Sequence, residues 1–199
     1  MILYCLYVIV SPILWLILYL VSIFNKKIHQ RLFNSKSLLV DLKQKIKQTE
    51  KEILLFHSAS NGELEQLQPI LRKLNREKYF VVLTISSPSS INHIPNHLVD
   101  GFCYQVFDFP WMVYDFFKSI KPSKYIITRH DIWPNHIVIS KNMSCELFLI
   151  NANLPEKSRR KFPIFIPLYK YLFSKFNQIH TVSLNMKEKM KRIVDNDLL

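Results

Sequence analysis

The sequence predicts an α/β protein: a single Rossmann-like, doubly wound parallel sheet preceded by a transmembrane helix. Three observations carry this reading. Residues Ile2 to Phe24 contain no charged side chain. From Glu52 onward, short apolar runs alternate with helical stretches, the pattern of βαβ units. The length of 199 residues suits one domain plus an appendage and is too short for two full doubly wound domains. The chain thus divides into an anchor over 1–24, a basic juxtamembrane linker helix over 25–51 and a Rossmann-like domain over 52–199.

The anchor comes first. Its uncharged run is 23 residues long, enough for a helix to cross a hydrocarbon core about 30 Å thick. Tyr4, Tyr7, Trp15 and Tyr19 add amphipathic rings, with Trp15 too deep for a simple interfacial belt. Pro12 removes one helical hydrogen bond and permits a kink. A cleavable signal peptide is the rival reading, but nothing basic precedes Ile2 and no A-x-A site follows the run. Lys26, Lys27 and Arg31 flank the C-terminal end, so the positive-inside rule puts everything after Phe24 in the cytoplasm.

In the linker, Lys and Arg dominate the charges, while Leu38, Leu39, Leu42 and Ile46 recur at near-helical spacing. This is a basic amphipathic helix, drawn to anionic headgroups by about 1 kcal/mol per nearby basic residue or else simply solvated on its polar face. Beyond it, strands are expected at 53–57, 79–85, 103–107, 124–128, 146–150 and 178–182. Helices are expected at 62–75, 111–120, 134–141, 156–175 and 184–194, with a weak helix or loop over 89–97. Right-handed crossovers between such strands give a doubly wound sheet, whose ligands bind beyond the carboxyl ends of the strands.

Composition removes several function classes. A hydrophobic fraction of 49% excludes a disordered chain. The two glycines, Gly62 and Gly101, belong to neither a GxGxxG nor a Walker A pattern. Cys5, Cys103 and Cys145 lie far apart, without CxxC or Cys/His spacing, and read as unpaired thiols of a reducing compartment rather than metal ligands. No metal and no cofactor are expected. A net charge of +12 raises nucleic acid as a partner, but no recognised nucleic-acid motif accompanies it, so none is expected.

Four strand ends concentrate polar residues. After the first strand, HSASNGE (His57 to Glu63) opens a helix, with Ser60 or Asn61 able to cap it. Glu63 falls in the first turn, where the helix dipole favours a carboxylate. After the second strand, TISSPSS (Thr84 to Ser90) offers hydroxyls and loop amides to an anion or a sugar, or makes a turn. After the fourth, Arg129, His130 and Asp131 precede Trp133 and Pro134, the latter suited to the first position of a helix. After the fifth comes NANLPEKS (Asn151 to Ser158). Each is open to a plain helix-capping reading; their convergence on one crevice is what favours chemistry.

Taken together these segments resemble the N-terminal half of the 3-deoxy-D-manno-octulosonic acid (Kdo) transferases. The family pattern H-A-A-S-x-G-E is matched by HSASNGE, T-x-T-x-x-T-G is echoed by Thr84 to Ser90, E-x-E-[LI]-W-P-N is matched by Arg129 to Asn135, and N-A-R-L-S-x-x-S by Asn151 to Ser158. A Pro/Asp region and an F-L-x-x-x-x-P run are echoed by FDFP (Phe107 to Pro110) and FFKSIKP (Phe116 to Pro122). The resemblance covers about residues 52 to 195 and implies the N-terminal half of a GT-B glycosyltransferase. It implies an acceptor-binding domain that moves Kdo from CMP-Kdo onto a lipid A precursor, lipid IVA, at the cytoplasmic face of the inner membrane. Glu63 takes the place of the family's catalytic base, and His57, Ser60, Asn61, Gly62, Ser86, Ser87, Ser89, Asp131, Trp133, Asn135, Asn151, Ser158 and Arg159 become candidate substrate-binding residues.

This chain departs from the family pattern at several positions, five of which change charge, size or backbone freedom most. Arg129 and Asp131 stand for the two Glu of E-x-E; Ser90 stands for a Gly, disfavouring any positive φ there; Asn153 and Pro155 replace Arg and Ser. The chain stops after the sixth strand and its helix, so the donor domain is expected to be missing or supplied by another chain, a separate GT-B C-terminal domain. Lys157, Arg159, Arg160 and Lys161 suit acceptor phosphates or inner-membrane phospholipids, or form a solvated face. The alternative to a split transferase is a non-catalytic, membrane-anchored remnant or interaction module.

Overall fold

A computed structural model describes residues 2–34, 36–129, 131–154 and 162–199. Its heart is a six-stranded sheet, every pair parallel, in the order β3-β2-β1-β4-β5-β6. The strands are β1 (Glu52–Ser58), β2 (Tyr79–Ile85), β3 (Gly101–Tyr104), β4 (Lys124–Thr128), β5 (Glu146–Ala152) and β6 (Gln178–Thr181). The α/β expectation is met, and the strand order is that of the Rossmann fold. The order reverses between β1 and β4, which pair in parallel from Leu54↔Lys124 to His57↔Ile127. Their carboxyl ends therefore flank the crevice where such sheets bind ligands.

Helices cover the sheet in the sense that right-handed crossovers require. They are α1 (Ile2–Phe24), α2 (Lys26–His29), α3 (Lys36–Lys47), α4 (Asn61–Leu71), α5 (Pro110–Ile120), α6 (Pro134–Asn142), α7 (Ile166–Phe173) and α8 (Leu184–Met190). On one face α4 lays Leu64, Leu67 and Leu71 against Leu54, Phe56, Val81 and Leu83. On the other, Val113, Phe116, Phe117 and Ile120 of α5 and Ile137 of α6 pack on Leu55, Val82, Tyr125 and Ile127. Alternate residues of each strand serve the two layers, as strand geometry demands. Each fully buried Leu or Phe contributes about 1.5–3 kcal/mol.

The stretch expected as a linker packs into this core. Leu42 of α3 is 1% exposed and joins the α5–α6 layer. Its Cδ1 would lie 2.6 Å from a Cβ placed on Gly101, so a side chain at the start of β3 would force Leu42 to shift.

Several boundaries differ from those expected, each for a local reason. The third strand spans Gly101–Tyr104 because β2 ends at Ile85, opposite Tyr104; past the bond from Gln105 N–H to the Ile85 carbonyl there is no strand left to pair. Helix α4 stops at Leu71 rather than 75 because the Asn75 side chain accepts from the amides of Glu77 and Lys78, closing a turn in competition with the helix. The weak segment after β2 is a 3-10 helix, Pro88–His93, and Pro95 keeps it short. The seventh helix begins at Ile166, with residues 155–161 outside the described part.

Helix α1 is long and apolar enough to cross a membrane. It does not simply lead away from the domain. Tyr4, Tyr7, Ser11, Trp15, Tyr19 and Ser22 fall on one stripe at helical spacing. At the N-terminal end of that stripe the Tyr7 hydroxyl donates to Asp108 Oδ2 at 3.0 Å and the Tyr4 hydroxyl to Asn135 Oδ1 at 3.1 Å. The turn after α2 packs back on α1, with Phe33 against Tyr19, and Arg31 donates to the Gln105 carbonyl at 2.9 Å. The first turns of α1 are thus tied to Asp108 and Asn135 and the chain after it to Gln105, while Ile9, Ile13, Leu16, Ile17, Leu20 and Ile23 remain exposed.

Candidate functional site

The site is built where β1 and β4 part. Strand β1 ends in His57 and Ser58, and Ser60 caps α4 in extended backbone. The Ser60 hydroxyl accepts from the Glu63 amide at 3.4 Å. Glu63 reaches back: its Oε2 accepts from the Ala59 amide at 2.7 Å. This reciprocal arrangement is a capping box shifted by one residue, and it fixes the loop as well as the carboxylate. The Thr128 hydroxyl, at the end of β4, lies 3.2 Å from the same oxygen and 2.8 Å from the His57 carbonyl, so it ties Glu63 to β1 across the switch point. Glu63 is 3% exposed, and its Oε1 carries no hydrogen bond among the described residues.

Beside it stands a second pair. His57 is wholly buried, with Nε2 2.6 Å from Asp131 Oδ2 and Nδ1 3.0 Å from Thr84 Oγ1. Burial by itself would raise the Asp131 carboxyl, but the hydrogen bond and charge of His57 outweigh it and hold the group below the ordinary carboxylate range. Three strand ends, β1, β2 and β4, are thereby joined through one imidazole.

The remaining candidates fall into separate places. Gly62 has open space around it, and its φ is not positive. Asn61 and Ser89 meet through His93, whose Nδ1 lies 3.4 Å from the Asn61 amide nitrogen and 3.1 Å from the Ser89 carbonyl. The Ser87 and Ser89 hydroxyls are 2.8 Å apart, and the Ser86 amide donates to Ser58 O at 3.3 Å. Trp133 is 41% exposed at the start of α6. Asn135 is buried, and its side chain spans the Asp108 carbonyl and the Tyr4 hydroxyl. Asn151 receives α4 from the other side, its amide donating to Gln66 Oε1 at 3.3 Å. Ser158 and Arg159 lie outside the described residues.

The backbone corrects one expectation. Ser90 sits in the 3-10 helix without positive φ, so no glycine is needed there. The left-handed residues at the carboxyl edge are Arg129, φ 61°, and Asn151, φ 52°. They are neighbours, since Thr128 pairs with Ile150 and the Arg129 amide donates to the Ile150 carbonyl at 2.8 Å. Asn tolerates this conformation, whereas Arg adopts it at some cost.

Sequence reasoning passed over four residues that complete the arrangement. Thr128 ends β4 and Thr84 is the last residue but one of β2, inner-strand positions that in themselves marked them. Asp108 lies in FDFP, where it accepts from the amides of Asn135 and His136 and from His136 Nδ1, capping α6 from a distance. Arg31 lies 74 residues before its partner Gln105, and no local pattern announces such a contact.

Known proteins share part of this sequence. Residues 26–197 match the family described as 3-Deoxy-D-manno-octulosonic-acid transferase (kdotransferase). A probable mitochondrial 3-deoxy-D-manno-octulosonic acid transferase of Arabidopsis thaliana is 31% identical over 137 residues, covering 66% of this chain and 31% of the relative. The 3-deoxy-D-manno-octulosonic acid transferase of Chlamydia muridarum is 26% identical over 140 residues, 67% of this chain and 32% of the relative. That of Aquifex aeolicus is 31% identical over 93 residues, 46% of this chain and 26% of the relative. The match thus spans about a third or less of each relative's length. With the family matched over most of its length, the chain belongs to the 3-deoxy-D-manno-octulosonic acid transferases, as an N-terminal domain of that family.

Proposed function

We propose that this domain is the acceptor-binding half of a transferase moving Kdo from CMP-Kdo to a lipid A precursor, lipid IVA. The donor-binding half is contributed by further polypeptide, in the same chain or a second one. The observation that carries the reading is Glu63. Its carboxylate is pinned through Oε2 by Ala59 and Thr128 at the switch point, with Oε1 carrying no hydrogen bond among the described residues. In the reaction, Glu63 takes the proton of an acceptor hydroxyl as that oxygen attacks the anomeric carbon of Kdo; the bond from that carbon to the CMP phosphate oxygen breaks and CMP leaves. His57 and Asp131 hold the loop that carries Glu63, and Trp133, Asn151 and the Ser86–Ser89 loop supply acceptor contacts.

The exposed apolar face of α1 supports anchoring to the inner membrane, with the domain on the cytoplasmic face as Lys26 and Arg31 favour.

A second reading, a membrane-anchored domain that binds acceptor without transferring Kdo, is favoured by Arg129, a cation on left-handed backbone where the family pattern has Glu. The discriminating experiment is Kdo transfer to lipid IVA by the chain together with a donor half, compared with Glu63→Ala. Transfer that depends on Glu63 supports the first reading. Acceptor binding without transfer supports the second.

A further inference from the structure

At the carboxyl edge of the sheet, one left-handed residue carries a side chain that its backbone role does not call for. Among the described residues four non-glycine positions have positive φ: Lys121, Arg129, Ser144 and Asn151. Three have a local cause. Lys121 is the left-handed cap of α5, its amide donating to the Phe117 carbonyl at 2.8 Å. Ser144 closes the turn after α6, its amide donating to the Lys141 carbonyl at 3.0 Å. Asn151 sits where β5 slips register against β6, and asparagine tolerates the conformation. Arg129 caps no helix. Its amide still donates to Ile150 on β5 at 2.8 Å, while Asp131, two residues on, reaches back to His57 on β1. A left-handed residue turns the chain between those two points, but glycine or asparagine would make the same turn at less cost.

Nothing inside the protein offsets the cost of arginine at this position. Arg129 is half-buried, yet its side chain makes no hydrogen bond, ion pair or ring contact among the described residues. The two carboxylates of this edge are engaged elsewhere, Glu63 by Ala59 and Thr128 and Asp131 by His57. Backbone strain that persists without a structural gain marks a side chain held for function. Arg129 follows directly on Thr128, whose hydroxyl lies 3.2 Å from Glu63 Oε2, so a long side chain here is within reach of the space around Glu63. A guanidinium is a fixed cation with a planar fork of donors, matched to the oxygens of a phosphate or a carboxylate. The family pattern has Glu at this position, so the reversal of charge changes which group this edge receives.

We infer that Arg129 is a specificity-determining residue that binds a sugar-borne oxyanion, a phosphate monoester or a carboxylate, beside Glu63. This deepens the proposed function and rests on that reading only for which substrate carries the anion: a phosphate would come from the acceptor, a carboxylate from Kdo.

The test uses the full chain in detergent micelles, titrated by calorimetry with glucosamine 1-phosphate, free Kdo and glucosamine. At least one of the two anionic sugars should bind about 10-fold or more tightly than glucosamine. Arg129→Gln should weaken that binding about 10- to 100-fold, Arg129→Glu should abolish it, and Arg129→Lys should fall between wild type and Arg129→Gln. Arg129→Asn keeps a residue suited to left-handed backbone, so it should lose the binding while its melting temperature equals or exceeds that of the wild type. Tighter binding of glucosamine 1-phosphate assigns the anion as phosphate, and tighter binding of Kdo assigns it as carboxylate; equal binding of both through Arg129 supports an oxyanion site that accepts either. The inference is overturned if neither anionic sugar binds more tightly than glucosamine or if Arg129→Gln binds as the wild type. It is overturned equally if Arg129→Asn lowers the melting temperature, since the side chain would then be serving the fold. No CMP and no donor half enter this assay, so its failure leaves the role of Glu63 untouched, and a chain inactive in transfer that binds the anion through Arg129 retains the site.

Discussion

The His57 Nε2 atom lies 2.6 Å from Asp131 Oδ2 and joins β1 to the loop after β4 across the point where strand order reverses. A pair in this position links the sheet's two halves where the crevice opens, so its loss should be felt in both stability and site geometry.

The pair makes acid stability testable. Asp131 is held below the ordinary carboxylate range, so its contribution is full above that range and is lost as pH falls through the lowered value. Asp131→Asn should cost about 1–3 kcal/mol at neutral pH, a partly exposed version of a broken buried pair. The gap between variant and wild type should close as the pH is lowered below about 4. Melting temperatures from pH 7 down to about 2.5 measure this; a gap independent of pH would contradict the pairing.

The two glycines should behave oppositely. At Gly101 a methyl group would meet Leu42 Cδ1 at 2.6 Å, so Gly101→Ala should destabilise by about 1–3 kcal/mol through overpacking between α3 and β3. Gly62 has no such neighbour and lies in the first turn of α4, so Gly62→Ala should be neutral or slightly stabilising. Chemical denaturation of both variants checks this. If Gly62→Ala nonetheless lowers transfer at unchanged stability, the open space beside Glu63 is substrate space.

Tyr7→Phe and Tyr4→Phe test the docking of α1. Each removes one hydrogen bond to the α6 cap, a loss of about 0.5–1.5 kcal/mol. Hydrogen exchange should rise in the first turns of α1 and leave β1 and β4 unchanged. Equal exchange in wild type and variants would mean that the stripe does not hold the helix to the domain.

Much of this was legible in the chain, because strands and motifs are local patterns. The second and fourth strands fall on 79–85 and 124–128 as expected, and the loop from His57 to Glu63 opens α4 as its capping residues indicate. What sequence could not show was contact at a distance. Tyr4 and Tyr7 read as bilayer aromatics, yet their hydroxyls reach Asn135 and Asp108. Asn135 read as a substrate ligand because its motif matched, while its amide is engaged with the Asp108 carbonyl. Ser90 read as a misfit for lack of glycine, but the loop becomes a 3-10 turn that accepts serine. Arg31 read only as a cation flanking the anchor, since its partners lie after β3.

The most direct test of the central claim is Kdo transfer from CMP-Kdo to lipid IVA by this domain with a donor half, comparing wild type with Glu63→Gln. Glutamine keeps an oxygen for the Ala59 amide and the Thr128 hydroxyl, so the melting temperature should hold within a few degrees while transfer falls about 10²- to 10⁴-fold. A Glu63→Gln domain that folds and transfers Kdo at the wild-type rate would contradict the account.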